Sequence, residues 1–177
     1  YEKTIHKESI YKGAIIDLEV HDVELPDGNT SKRELVYHNG AVAVCPVTPD
    51  NKVILVKQFR KPAEKPLLEI PAGKLEKGEE RLSAAKRELE EETGYVTNNL
   101  EFITDMYGCP GFTNEKLTIY FSNNLSEGQL NLDEDEFVEL HKVPISDIKA
   151  LLDNHEIEDA KTIIGLQYIL LNYNHSN

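Results

Sequence analysis

The chain has 177 residues, of which 40% are hydrophobic, and a formal net charge of −13 at pH 7. That length suits one compact domain with a modest extension, which can bury a core without disulfide or metal staples. The hydrophobic residues fall in short runs, and no run reaches the roughly 18–20 residues that a membrane span needs. A membrane is therefore not an expected partner. Because the negative charge would repel a polyanionic backbone, a nucleic acid is not expected either.

The N-terminus and the cysteines bear on the cellular compartment. Residues 1–6 lack the basic patch and apolar stretch of a signal peptide, so a cytoplasmic location is expected. Cys45 and Cys109 have no companion at metal-ligand or CxxC spacing. We therefore interpret both cysteines as small core residues without a redox role.

Short strand-like runs and two helical segments together predict an α+β fold. Residues 10–37 suggest an N-terminal antiparallel hairpin around Pro26-Asp27-Gly28-Asn29. We therefore divide the chain into an N-terminal antiparallel β unit, residues 1–39, and a main domain, residues 40–177. Six further runs are compatible with one mixed sheet: Ala41–Val47, Lys52–Phe59, Leu67–Ile70, Glu101–Met106, Lys116–Phe121 and Phe137–Val143.

Two segments have the apolar spacing of helices. The first, Glu80–Glu92, is apolar on one face, and Gly94 is placed as its C-terminal cap. The second, Asp159–Leu171, is expected to pack on the sheet through its apolar residues, which are Ile163, Ile164, Leu166, Leu170 and Leu171.

The C-terminal end of the first helix carries four glutamates within residues 88–92, where the helix macrodipole is negative. Each pairing of Glu88 with Glu91 or Glu92 costs about 0.2–0.5 kcal/mol, and the dipole adds up to about 1 kcal/mol. A Mg²⁺ ion would offset this repulsion, because it prefers carboxylate oxygens and Glu88 and Glu92 converge on one side of the helix. The alternative is a surface helix whose charge is simply tolerated, but the glycines that flank the segment, Gly73 and Gly94, favour a rigid mount for metal ligands.

These residues resemble the Nudix box, G-x5-E-x7-R-E-U-x-E-E-x-G-U. Only the last position departs from it, with a tyrosine in place of the usual bulky aliphatic residue, and a chance match at one start position is on the order of one in 10⁸. The resemblance implies the Nudix fold, a mixed β-sheet sandwiched between helices, from about Gly40 onwards. The positions of the box are filled by Gly73, Glu79, Arg87, Glu88, Leu89, Glu91, Glu92, Gly94 and, as the one departure, Tyr95.

The same resemblance implies a metal site. Glu88 and Glu92 would be the principal Mg²⁺ ligands, with Mn²⁺ as an alternative ion, and the Ala72 carbonyl would be a backbone ligand. Glu91 would be a further ligand or a contact to metal-bound water. Arg87 is expected to fix the rotamers of box glutamates, by pairing with Glu79 or Glu91. An ordinary surface ion pair is the alternative for Arg87.

Residues outside the box resemble the ADP-ribose pyrophosphatase subgroup. Pro110 lies in residues 107–115, which resemble the proline-containing loop of that subgroup, although an ordinary Pro-Gly turn is the alternative. Arg33 and Arg60 resemble substrate-contacting positions, and a guanidinium suits bidentate contact with a diphosphate. Surface salt bridges are their alternative. Glu115 would accept a hydrogen bond from the adenine edge.

Five acidic residues within positions 133–139 complete the predicted site. By the resemblance, Glu134 is the catalytic base and Glu136 an additional metal ligand. Asp133 and Asp135 are chemically similar neighbours, so the register of these two roles stays open. A solvated loop is the alternative for the whole run.

The resemblance implies Mg²⁺-dependent hydrolysis of the diphosphate of ADP-ribose to AMP and ribose 5-phosphate, with Glu134 positioning or deprotonating the attacking water. The alternatives are hydrolysis of GDP-mannose, another nucleotide sugar or a dinucleoside polyphosphate, and a sensor that binds ADP-ribose without cleaving it. The resemblance also implies a homodimer that exchanges the N-terminal unit and builds each active site from both chains.

Overall fold

The structure is a computed structural model that describes residues 1–173. The chain forms two compact units. The first consists of Tyr1–Ala41 and Met106–Leu117, and the second of Val42–Asp105 and the chain from Thr118 onwards. The last four residues of the predicted main domain lie outside the described residues. Among residues 1–173, no helix is long and apolar enough to cross a bilayer.

The first unit is built on a three-stranded antiparallel sheet in the order β1-β2-β3: β1 (Lys3–Lys12), β2 (Ile16–Glu24) and β3 (Thr30–His38). The β2–β3 hairpin was predicted, and in its turn Gly28 has φ 84°. The sequence pattern does not predict β1, because all ten of its residues are exposed. Pairing with β2, and not burial of an apolar face, holds this strand in place.

Nine further strands form three sheets. A four-stranded sheet has the order β7-β4-β10-β9, and an antiparallel three-stranded sheet has the order β12-β5-β6. The strands are β4 (Ala41–Pro46), β5 (Lys52–Arg60), β6 (Lys65–Glu69), β7 (Ala72–Lys74), β8 (Tyr95–Val96), β9 (Glu101–Tyr107), β10 (Lys116–Ser122), β11 (Ser126–Glu127) and β12 (Glu139–Pro144), with β8 and β11 paired in the smallest sheet.

Each of the six predicted runs forms a strand, but the strands divide between two sheets where the sequence suggested one. All of β4 and residues Val53–Val56 of β5 are buried. Fully buried runs show no alternation that would reveal which strands share a sheet, so pattern alone identifies the strands and not their partners.

Three helices complete the described chain: α1 (Arg81–Thr93), α2 (Ile148–Asp153) and α3 (Ala160–Asn172). Helix α1 agrees with its prediction to within one residue, and Gly94 caps it in the left-handed conformation at φ 73°. Its buried face joins strands β4 and β5 in one core cluster, which contains Val42, Val44, Ile54, Ala84, Ala85, Leu89, Tyr120 and Leu125.

Helix α3 buries only Leu166 of the five apolar residues predicted to pack. Its buried residues are Thr162, Gly165, Leu166 and Ile169, which follow the helical spacing of three and four. Leu170 and Leu171 are 40% and 82% exposed, so their predicted packing role is wrong. A methyl group on Gly165 would lie 3.2 Å from the Sγ atom of Cys45, and the small residue therefore selects this face of the helix.

The two cysteines have different environments. Cys45 is buried in β4, and burial raises the pKa of its thiol to about 12. Cys109 is exposed, so its predicted core role is wrong. It lies in the loop between β9 and β10 and outside any strand, where apolar character alone does not bury a small side chain.

A polar junction anchors the start of α3. The Asp159 carboxylate accepts hydrogen bonds from the Thr162 backbone N–H at 3.1 Å and from the Thr162 hydroxyl at 2.5 Å. The same hydroxyl oxygen accepts the Ile70 N–H at 2.9 Å. Thr162 is fully buried, so the junction ties the helix to the segment that follows β6.

Replacing Thr162 with valine should destabilise the protein by about 1–3 kcal/mol, because the buried Ile70 N–H would lose its acceptor at unchanged side-chain volume. Urea denaturation of wild type and Thr162→Val measures this difference. Thr30→Val, at an exposed position of β3, is the matched control and should stay within about 0.5 kcal/mol of wild type. Equal midpoints for all three proteins would contradict the assignment.

Candidate active site

The site begins where β7 lies against the last turns of α1. The Ala72 N–H donates to the Glu92 carboxylate at 3.1 Å. A Cβ atom on Gly73 would lie 1.8 Å from the Cδ atom of Glu88, so the Glu88 carboxylate fills the space that any larger residue would occupy. The glycine of the box is thus required by a glutamate fifteen positions later.

The carboxylates at this end of α1 face inward. Glu92 is only 4% exposed. Burial, together with the negative charges of Glu88 and Glu136, raises the pKa of its carboxyl to about 8. Burial also raises the pKa of Glu88, against the opposing effect of Arg87. These groups are therefore held close together in a poorly solvated place where ionised carboxylates are unfavourable.

Arg87 binds several of these glutamates at once. Its Nε and Nη2 atoms donate to the two oxygens of Glu79 at 2.8 and 2.9 Å. Its Nη1 atom donates to Glu88 and to Glu91, both at 2.9 Å. The sequence offered Glu79 or Glu91 as the partner, and the structure has both. Arg87 therefore fixes carboxylates of the loop and of the helix in one geometry.

The segment after β11 closes over the end of α1. The Gly128 N–H donates to the Gly94 carbonyl at 2.7 Å, and the Asn131 N–H donates to the Glu91 carbonyl at 3.0 Å. The Gln129 N–H reaches the Glu90 carboxylate at 3.3 Å. These bonds satisfy acceptors that a helix end leaves open, and they anchor the chain that leads into the acidic run.

The two glutamates predicted in the acidic run, Glu134 and Glu136, have different environments. Glu136 is half-buried, and its charge acts on both Glu88 and Glu92. Its carboxylate also accepts the Asp133 N–H at 3.2 Å. Glu134 is exposed, in the turn that precedes Glu136. The metal-ligand role of Glu136 and the base role of Glu134 stay predictions.

Arg60, at the end of β5, forms a two-pronged ion pair with Glu69. Nε lies 3.0 Å from Oε1, and Nη2 lies 2.6 Å from Oε2. Glu69 is buried, so this pair is not the surface salt bridge weighed as the alternative for Arg60. Glu69 had no predicted role, because its only signal in the sequence is that of an acidic residue at the end of an apolar run.

The other predicted substrate residues lie in the first unit. Arg33 pairs with Glu2 through Nε at 3.0 Å and Nη2 at 2.6 Å. Pro110 follows Cys109, whose carbonyl accepts the Phe112 and Thr113 N–H groups and so closes a tight turn. Beyond this turn the Glu115 N–H donates to the Thr113 hydroxyl at 3.2 Å. Their predicted roles in substrate binding stay predictions.

Comparison with known proteins identifies the family. The model of the NUDIX domain matches residues 37–165, which is more than half of the chain. The chain belongs to the Nudix family. A second family model, the nucleoside diphosphate sugar hydrolase N-terminal domain, matches residues 2–36 of this Nudix hydrolase.

Relatives of this Nudix hydrolase extend over nearly its whole length. It is 54% identical over 172 residues to an ADP-ribose pyrophosphatase of Bacillus subtilis, which covers 96% of this chain and 93% of the relative. It is 48% identical, with the same coverage, to a protein of Bacillus methanolicus named methanol dehydrogenase activator. The crystal structure of an ADP compounds hydrolase superposes with a TM-score of 0.86 at 24% identity, and covers 96% of this chain and 92% of that one, which confirms the predicted fold.

Nudix hydrolases generally depend on a divalent metal, and the residues of this site suit one. The carboxylates of the site offer hard oxygen donors, and a bound cation would relieve the repulsion among Glu88, Glu92 and Glu136. The metal-ligand role of the Ala72 carbonyl stays a prediction. Among residues 1–173, no three acidic, histidine or cysteine side chains already enclose an ion-sized site. Arg87 donates to only one oxygen of Glu88, Oε1, so a cation would share this carboxylate with Arg87.

Gly73→Ala tests the packing of Gly73 against Glu88. The added methyl group should push the Glu88 carboxylate aside, abolish most of the Mg²⁺-induced rise in melting temperature and lower kcat/KM by at least about 10-fold. Thermal melts with Mg²⁺ and with EDTA measure the first effect. Gly111→Ala is the control for the melts, because its methyl group would meet no described atom within 4 Å. An unchanged Mg²⁺ response in Gly73→Ala would contradict the assignment.

Proposed function

We propose that this Nudix hydrolase cleaves the diphosphate of ADP-ribose to AMP and ribose 5-phosphate in a Mg²⁺-dependent reaction. The observation that carries the proposal is the group of inward-facing carboxylates, Glu88, Glu92 and Glu136, beside the Ala72–Gly73 backbone. The 54% identical relative named ADP-ribose pyrophosphatase supports the choice of substrate.

In this proposal Glu88, Glu92, Glu136 and the Ala72 carbonyl hold the cation. When bound, Mg²⁺ would neutralise the diphosphate and lower the pKa of a water molecule. Arg87 keeps Glu88 and Glu91 within reach of the site through its hydrogen bonds at 2.9 Å.

Glu134 positions or deprotonates the attacking water in the proposed reaction. Its exposed place in a turn leaves the carboxylate accessible to solvent and to substrate. The anchored segment 128–131 precedes this turn and limits how far it can move.

The residues proposed to contact the substrate outside the box have different chemical roles. The guanidinium groups of Arg60 and Arg33 bind phosphate oxygens, because each presents paired N–H donors in a planar fork. Pro110 stiffens the 107–115 loop, and Glu115 accepts a hydrogen bond from the adenine edge. In the structure Arg33 donates to Glu2, so a phosphate would have to displace this exposed carboxylate.

A substrate panel tests the proposal. Purified enzyme is incubated with ADP-ribose, GDP-mannose and diadenosine polyphosphates, with Mg²⁺, with Mn²⁺ and with EDTA, and the products are identified. We expect ADP-ribose to give the highest kcat/KM and to yield AMP and ribose 5-phosphate only when metal is present. Glu92→Gln should lower kcat by at least about 100-fold, because it removes a charge that acts mainly in the transition state.

Glu90→Gln is the matched control for that experiment. It removes one charge from the same turn of α1, but Glu90 contacts the Gln129 N–H and not the proposed metal site. Near wild-type turnover in Glu92→Gln would refute the metal-ligand role. Binding of ADP-ribose without products would support the sensor alternative.

The 48% identical relative named methanol dehydrogenase activator supports a second candidate function, the stimulation of a dehydrogenase. Nicotinamide dinucleotides contain the same diphosphate linkage as ADP-ribose, so the same site could act on them. NAD⁺ is therefore added to the panel, and a purified NAD-dependent alcohol dehydrogenase is assayed with and without this protein. Faster alcohol oxidation that is lost in Glu92→Gln would favour this function.

We also propose that the protein is a homodimer, in which the N-terminal unit of residues 1–39 forms the interface. Strand β1 lies at the edge of its sheet and exposes apolar side chains at Ile5, Ile10 and Tyr11. An exposed edge strand with apolar residues is unfavourable in water unless a partner covers it.

Sedimentation velocity at micromolar concentration should therefore give one species of about twice the 20.1 kDa chain mass. Ile5→Lys combined with Ile10→Lys should shift this species towards the monomer, because charged side chains on an edge strand disfavour pairing. Lys7→Glu, on the same strand, is the control for a simple change of charge. A wild-type species near 20 kDa would rule out the homodimer.

A further inference from the structure

A group of five side chains lies next to the proposed site, and only one of them, Arg60, had a predicted role. We call it the Glu69 cluster: Arg60, Glu69, Asp159, Lys161 and Thr162. Glu69 lies at its centre, at the end of β6, and only 3% of its side chain is exposed. A nearly fully buried glutamate needs partners, because an unpaired buried charge is strongly unfavourable.

Arg60 supplies the first of these partners. Its Nε and Nη2 atoms each donate a hydrogen bond to one Glu69 oxygen, which fixes the plane of the guanidinium. A guanidinium has five N–H donors, so the edge that faces away from Glu69 still carries donors. The Arg60 side chain is 39% exposed, and this outer edge can therefore reach a ligand.

Lys161 supplies the second partner, from the first turn of α3. Its Nζ atom lies 3.5 Å from the nearer Glu69 oxygen and 3.0 Å from an Asp159 oxygen, and its side chain is only 12% exposed. Two cations and two carboxylates thus share the cluster. Glu69 is shared between Lys161 and Arg60. Its negative charge therefore cancels only part of the positive charge of Arg60.

The cluster also lies within electrostatic reach of the carboxylates on α1, since the charge of Arg60 acts on Glu92. Thr162 links the cluster to Ile70, and Ala72, two residues further on, donates its N–H to Glu92. The outer edge of Arg60 is therefore close to where the diphosphate would meet the cation.

We propose that Glu69 is a positioning residue that orients Arg60 towards the diphosphate. Lys161 also attracts Glu69, so the positive charge of Arg60 is only partly cancelled and can attract the diphosphate. The inference rests on the proposed function for the identity of the ligand. A purely structural ion pair is the competing explanation. It predicts that replacing Glu69 changes stability, and that any effect on pyrophosphate binding does not depend on Arg60.

A double-mutant cycle separates the two explanations. Wild type, Glu69→Gln, Arg60→Ala and the double variant are compared for binding of inorganic pyrophosphate in the presence of Mg²⁺ by titration calorimetry, and for KM and kcat with ADP-ribose. We expect Glu69→Gln to weaken pyrophosphate binding about 10-fold and to raise KM more than it lowers kcat. The double variant should bind no more weakly than Arg60→Ala, because Glu69 acts through Arg60.

A second variant keeps the test decisive if Glu69→Gln does not fold. Lys161→Met retains most of the side-chain volume and should weaken pyrophosphate binding several-fold. Lys149→Met is its matched control, because it removes an exposed lysine that pairs with Asp153 on α2. Unchanged pyrophosphate binding in Glu69→Gln, or additive losses in the cycle, would overturn the proposal.

The pyrophosphate measurement also separates this proposal from the proposed function. If ADP-ribose is not hydrolysed but the pyrophosphate cycle is non-additive, the substrate assignment fails and the positioning role stands. If ADP-ribose is hydrolysed and the two residues act independently, the positioning role fails and the substrate assignment stands.

Discussion

Mutual repulsion among buried carboxylates at the end of α1 is the constraint on which the rest of the site depends. Glu92 is almost fully buried, and the charges of Glu88 and Glu136 act on it from two segments of the chain. Helix dipole and burial both oppose negative charge at this place. The surrounding structure holds the carboxylates there with a glycine that makes room for Glu88, a backbone N–H for Glu92 and the guanidinium of Arg87.

The Glu69 cluster and the group around Arg87 differ in how far their positive and negative charges balance. In the Glu69 cluster, Arg60 and Lys161 match Glu69 and Asp159, so the group needs no further ion. On α1, the single guanidinium of Arg87 contacts three carboxylates, those of Glu79, Glu88 and Glu91, and does not contact Glu92. The unbalanced negative charge of α1 thus lies where a cation is proposed to bind, and the balanced group beside it is the one proposed to present Arg60 to an anion.

The sequence was informative where a local pattern sets the geometry. The apolar face of α1, its Gly94 cap and the spacing of the box predicted the helix and the inward side of Glu88 and Glu92. Strand β1 could not be predicted, because pairing holds it and not burial. Glu69 and Lys161 were missed because they are 92 positions apart in the chain and meet only through the packing of α3 on the segment after β6. Tertiary contacts of this kind leave no local pattern.

A structural explanation of the box carboxylates meets a physical difficulty. If α1 served only to pack on the sheet, an apolar or amide side chain at position 92 would fill the same space without the unfavourable burial of a charge. Glutamate at this position, with a pKa raised to about 8 by burial, lowers stability where no cation is bound. Local choices that oppose stability are typical of functional sites. The same reasoning does not apply to Glu79, because both oxygens of its carboxylate accept hydrogen bonds from Arg87. The proposed metal-binding role therefore rests on Glu88 and Glu92, and in the same proposal Glu79 acts through Arg87.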